Sequence, residues 1–347
     1  MPTTPAPAAG QSVAAGRPNA APPRWLLTLP MMLGGGALIA IQSQLNGALA
    51  RELGTGLRAG TLAALISFGS GLVLLTAFAA AHRPTRRGVL ELTTAVVRRR
   101  LPLWSVLGGL AGAFFVVSQG LSAPTLGITV FVLCFVAGQA VIALLVDHYG
   151  WGPNGRTRLN AWRTVGAGLA VLAVAISGAG LLQQVPLAAL LLVLAALPLL
   201  AGGLNSVQQG INGRLAARYG AWVTTWNNFY VGTAGLVVFF LVTLALPGHV
   251  VGLPSQPWLY LGGVCGIGFI WASSVTVRVH GVLVVGVFAV AGQVLTAALI
   301  AAVLSGSLPG LTTWLAVVTS LLSAGVVGLS QRSGAKARQP LTTGPLD

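Results

Sequence analysis

The stretch Ile41 to Gly56, IQSQLNGALARELGTG, has a second copy, VQQGINGRLAARYGAW, beginning at Val207, and this pair fixes the plan of the whole chain. At an offset of 166 positions Gln42 falls on Gln208, Asn46 on Asn212, Gly47 on Gly213, Leu49 on Leu215 and Gly54 on Gly220. Self-similarity over such a distance means two related halves with one architecture. Gly69 falls on Gly235 at the same offset, and the offset then drops to 154. Trp104 matches Trp258, Gly108 and Gly109 match Gly262 and Gly263, Phe115 matches Phe269, and Ala137-Gly138-Gln139 matches Ala291-Gly292-Gln293. The lost positions lie in one joint: HRPTRRGVLELTTAVVRRR, from His82, is long and basic, whereas its counterpart PGHVVGLPSQP carries no Lys or Arg.

What such halves can fold into is limited by polarity. Only 7% of residues are charged and 55% are hydrophobic, against roughly 25% charged in a soluble globule. The apolar residues form runs of about twenty, the length a helix needs to cross about 30 Å of hydrocarbon. The ten-residue alternation of an outer-membrane barrel is absent. The chain is therefore read as an all-α integral membrane protein with ten transmembrane helices, at approximately 25–49, 59–81, 102–122, 126–147, 162–182, 187–213, 221–246, 257–277, 282–304 and 311–330. Residues 1–24, rich in Pro and Ala and without the basic start and apolar core of a signal peptide, read as a disordered tail. The first five-helix repeat covers 25–182, the second 187–331, and 332–347 form a second polar tail.

Basic residues are retained on the cytoplasmic side. Alternate joints collect seventeen Lys and Arg on one side, and only Arg51 and Arg58 on the other, which places both termini in the cytoplasm of a multi-pass membrane protein. Five helices per half is an odd number, so the second half enters the membrane upside down. Inverted repeats are the architecture of many secondary transporters. The net charge of +15 sits in the joints, which argues against nucleic acid as a partner. Membrane lipid and a small-molecule substrate are the expected partners, with a second copy of the chain kept open.

A carrier needs polar groups within its spans. Gln42 and Asn46 lie four apart on one helical face, Gln208 and Asn212 repeat them, and Asn205 extends that stripe. Gln139 and Gln293 lie mid-span, and Gln119 faces Ser273 across the repeat. These amides, with Trp271 as a pocket wall, are the candidate substrate-binding residues; interhelical hydrogen bonding is the competing role. At the offset of 166, Trp226, Asn227, Asn228 and Tyr230 fall on Gly60, Thr61, Leu62 and Ala64, and read first as an interfacial aromatic anchor, with one side of a pocket as the alternative. Cys134 and Cys265 have no Cys or His at ligand spacing, so no metal and no cofactor is expected. The acids are Glu52, Glu91, Asp147 and Asp347, none mid-span; Glu52 and Asp147 are placed at helix ends where water and arginines keep a carboxylate ionised. With no nucleophile and base pairing, an enzyme is not expected.

The paired signatures, with AGQ in helices four and nine, resemble the YdcZ (DUF606) branch of the drug/metabolite transporter superfamily, in its fused ten-helix form, from about Leu33 to Gln331. The resemblance implies an inner-membrane exporter of small organic solutes, with helices one, three, four, six, eight and nine around a central cavity. Small multidrug members of the superfamily use an acid in helix one, and this sequence has none there. A non-transporting scaffold or sensor, or a channel, is the alternative.

Overall fold

A computed structural model describes residues 25–126, 128–182, 189–306 and 308–336. The expected tails 1–24 and most of 332–347 lie outside the described residues. Among those described there are eleven α-helices: α1 (Trp25–Leu53), α2 (Gly56–Ala81), α3 (Arg83–Val97), α4 (Gly109–Leu126), α5 (Ile128–Tyr149), α6 (Ala161–Leu182), α7 (Ala189–Tyr219), α8 (Ala221–Thr243), α9 (Gly262–His280), α10 (Val282–Ser305) and α11 (Leu311–Lys336). Ten of them fall on the ten expected helices. Six stretches, Gly56–Ala81, Phe131–Tyr149, Ala221–Thr243, Pro257–His280, Val282–Leu304 and Leu311–Leu329, are long and apolar enough to cross a membrane. Large apolar side chains such as Val73, Val238, Val303 and Leu322 stand exposed, as suits helices solvated by lipid.

The eleventh helix, α3, lies in the basic joint, where charge masks a helical period. Val89, Leu92 and Val96, spaced by three and four, pack with Val106, Leu215 and Val223. Two further departures are short 3-10 turns, Leu103–Val106 and Pro257–Leu261, which lead into α4 and α9 where membrane helices were expected to begin.

Packing follows the repeat but exchanges its members. The first helix of each half packs on the third and fourth helices of the other: α1 on α9 and α10, α7 on α4 and α5. The reason is visible in glycines with no side chain to hold the helices apart. A Cβ on Gly36 would sit 2.0 Å from the Ala289 carbonyl oxygen, and one on Gly202 would sit 1.8 Å from that of Phe135. Gly292 meets Leu33 and Gly138 meets Leu199 in the same way. Each contact is the repeat image of another, by 166 positions on α1 and α7 and 154 on α5 and α10. Helices α2 and α8 pack on each other, as do α6 and α11. The chain thus sorts into two mixed bundles: α1, α9 and α10 with α2 and α11, and α7, α4 and α5 with α8 and α6. At the centre lies α10, whose residues Val282 to Val290 are buried throughout, which accounts for its apolar character on every face.

In α2 and α8 the structure corrects the pairing expected from an offset of 166. Phe68 and Phe229 pack together with ring centres 5.2 Å apart, and each also fills the space against the other helix's glycine, Gly232 and Gly71 respectively. The true mates are therefore Ser67-Phe68-x-x-Gly71 and Asn228-Phe229-x-x-Gly232, at an offset of 161. Five additional residues, Gly54 to Arg58, account for the slip. They form the strand β1 (Gly54–Thr55), which pairs antiparallel with β2 (His249–Val250), and the first turn of α2. Arg58 then donates to the carbonyl oxygens of Leu244 (3.0 Å) and Leu246 (2.7 Å), so the joint after α1 is held to the joint after α8.

At the opposite end the joint after α5 gathers the ends of α7 and α9. Arg214 donates to the Gly150 carbonyl oxygen at 2.6 Å, and the loop residue Pro153 and Val277 of α9 both border Gly213.

Candidate functional site

The amide stripe of α7 faces α4 and α8. Gln208 donates to Asn228 (2.8 Å), and Asn228 donates to Asn212 (2.7 Å) and to the Thr224 carbonyl oxygen (2.9 Å). All three amides are buried, and Gly108 leaves the room in which Asn212 and Asn228 meet. The structure therefore brings Gln208 and Asn212 together through Asn228, on the pocket side that was the second reading of this stretch. Asn227 is likewise inward, donating to the Val106 carbonyl oxygen at 2.7 Å. Trp226 and Tyr230 keep an outer position, stacked with ring centres 5.3 Å apart.

The repeat image of this network is incomplete. Asn46 and Ser67 converge on Gly262 as Asn212 and Asn228 converge on Gly108, and Gln42 approaches Gly266 as Gln208 approaches Gly112. Yet the Asn46 Oδ1 and Ser67 Oγ atoms are buried without a hydrogen-bond partner. A serine in place of Asn228 is too short to bridge the two amides.

A second polar set lies between α7 and α9. Gln209 is 2% exposed, and both its Nε2 and Oε1 atoms lack a partner. Gly213 packs on Val277, and the C-terminal ends of both helices meet the joint after α5, so the helices run the same way there. One turn back from that contact come Gln209 on α7 and Ser273 on α9, and Ser274 beside it. The Oγ atoms of Ser273 and Ser274 are also buried without partners. A buried amide left unpaired costs about 1–3 kcal/mol, so such a cluster calls for an explanation. Sequence reasoning missed Gln209, although the Gln208-Gln209 doublet was in view.

The remaining candidates are dispersed. Gln139 is buried between α5 and α10, beside Gly286, at a crevice with room for about one water. Gln293 and Gln119 are half-buried, and Asn205 continues the α7 stripe. The Trp271 ring packs on Trp222, with centres 5.5 Å apart, and Trp222 packs on Phe78.

Asp147 departs most from expectation. It is not water-exposed at a helix end but 4% exposed, and it pairs with the equally buried Arg163 of α6. The same carboxylate accepts from the backbone N–H groups of Val282 (2.9 Å) and Leu283 (3.1 Å), the first turn of α10. Helix N-termini have unsatisfied donors and favour negative charge. Asp147 thus ties one bundle to the other. Its repeat position on α10 is Ala301, so this tie exists at one end only. Glu52 is exposed, as expected.

A family model described as "Putative inner membrane exporter, YdcZ" matches residues 27–176 and again 193–329, once for each half. The chain belongs to the YdcZ family. A crystal structure titled only "Crystal structure of protein" is 18% identical, with a TM-score of 0.63 over 90% of this chain and 99% of that one, which supports the fold alone. A comparison with curated proteins gave no significant match. Membership of YdcZ makes this a multi-pass inner-membrane protein of a transporter family, and transporters of this kind are not an enzyme class.

Proposed function

We propose that this YdcZ member is a secondary exporter of small organic solutes, with ten membrane-crossing helices in two inverted five-helix repeats and both termini in the cytoplasm. The two mixed bundles rock against each other and expose the face between α4, α7 and α9 to either side in turn. The end held by Arg58 and the β1–β2 pair opens outward, and the end held by Asp147 opens to the cytoplasm. The observation that carries this reading is the unpaired polar set of Gln209, Ser273 and Ser274. Such groups are costly in a static scaffold and useful where water or solute enters.

Gln209→Leu separates the two roles. The variant should be at least as stable as the parent, because it removes an unsatisfied buried amide. It should also abolish most of the difference in extracellular metabolites between cells with and without the protein. Loss of folded protein together with activity would make Gln209 structural and defeat the proposal. Orientation is checked by cysteine labelling: a cysteine at exposed Ser255 should react from outside, and one at exposed Glu91 on α3 only from the cytoplasm. Reaction of both from one side would contradict the inverted repeat.

A further inference from the structure

A pocket of about 160 Å³ lies between the 3-10 turn before α4 and the C-terminal end of α7, bordered by Trp104, Ser105, Ile211, Arg214, Arg218 and Tyr219. It is separate from the amide network, and its chemistry is different. Two guanidinium groups stand at an apolar and aromatic floor, with no carboxylate to neutralise them. Among the described residues the one ion pair is Arg163 with Asp147. Arg214 is oriented by its bonds to the Gly150 and Gly152 carbonyl oxygens, and the Arg218 guanidinium lies 5.3 Å from the Tyr219 ring centre.

The surroundings fix the depth of the pocket. Helix α3 packs Leu92 and Ala95 inward but leaves Leu90 and Val97 exposed, and Leu103 and Leu107 beside the pocket are exposed as well. An amphipathic helix with apolar groups on its outer face lies in the membrane interface. Arg98, Arg99 and Arg100 follow that helix immediately before Leu101, so three more positive charges stand beside the pocket. Trp104, Tyr219 and arginines are the residue types found at headgroup depth.

We propose that this pocket binds the headgroup of an anionic phospholipid. Its phosphate lies between Arg214 and Arg218, where planar guanidinium groups donate in pairs to phosphate oxygens. Its acyl chains run along Leu103 and Leu107. Basic pockets between membrane helices hold acidic headgroups in this way. Because α7 carries the amide stripe and its end also meets the joint after α5, a lipid here braces the helix on which the proposed transport site is built.

Native mass spectrometry of the full-length protein, released in mild detergent from vesicles of phosphatidylglycerol and phosphatidylethanolamine, tests the assignment. The parent should retain phosphatidylglycerol preferentially. Arg214→Gln with Arg218→Gln should weaken that retention roughly 30-fold, taking each arginine as one step of charge attraction. Arg218→Gln alone, which breaks no hydrogen bond within the protein, should weaken it about 5-fold. Arg83→Gln with Arg86→Gln, an equal loss of charge at the far end of α3, should leave retention unchanged, and millimolar glycerol 3-phosphate should not displace the lipid. Equal retention by the parent and the Arg214/Arg218 variant would overturn the site. Equal weakening by the Arg83/Arg86 variant would reduce it to general charge, and displacement by glycerol 3-phosphate would reassign it to a soluble anion.

Discussion

Gly36→Ala and Gly202→Ala should each leave little folded protein, and Gly138→Ala and Gly292→Ala should do the same. In every case the added methyl would sit within 2.0 Å of a backbone carbonyl oxygen on a neighbouring helix, a contact that only separation of the helices relieves. Overpacking costs about 1–3 kcal/mol and occasionally more, and here, against backbone, it forces apart the first helix of one half and the fourth helix of the other. Gly60→Ala and Gly69→Ala are the controls, since a methyl there meets no described atom within 4 Å. Detergent extracts followed by size-exclusion chromatography distinguish the sets. Equal yields from all six variants would contradict the crossed packing of the halves.

The second large effect is expected at Asp147. Asp147→Asn leaves Arg163 buried and charged with no opposite partner, a loss worth about 3–5 kcal/mol where buried pairs have been broken. Adding Arg163→Met should recover most of that stability, because the unpaired charge is gone and the Asn carbonyl oxygen can still accept from the first turn of α10. Thermal unfolding of the purified single and double variants reads the difference. A single variant as stable as the parent would mean that the pair is not buried in the working protein. The expectation of a water-exposed carboxylate came from its place late in a helix. What buries it is α6 and the start of α10, and Val282 lies far along the chain in the other half.

The same contrast between local and distant information runs through the rest of the molecule. Ten of the helices were legible because runs of about twenty apolar residues have one stable form in lipid. Helix α3 was not, since six arginines in and around it hide three inward apolar residues. The crossed glycine contacts lay in the repeat itself, at matching positions such as Gly138 and Gly292, but which helices they join depends on the closure of the bundle. The pairing of Asn228 with Ser67 was readable from the shared Phe-x-x-Gly pattern. It was lost by carrying the first offset across a joint that contains five extra residues. Those residues are the ones that form β1 and place Arg58. Gln209 was passed over because its repeat mate is Ser43 rather than an amide, and hydrogen-bond satisfaction is a property of packing.

Reciprocal opening of the two ends is the central claim, and paired spin-label distances measure it. One labelled pair, Glu52 and Leu246, spans the end held by Arg58; another, Ala217 and Val279, spans the end held by Asp147. Arg58→Gln removes the bonds to the carbonyl oxygens of Leu244 and Leu246 without touching the buried interior. In that background the Glu52–Leu246 distance should lengthen while the Ala217–Val279 distance stays at its short value or narrows further. Lengthening of both distances together, or no change in either, would contradict alternating access by the two mixed bundles.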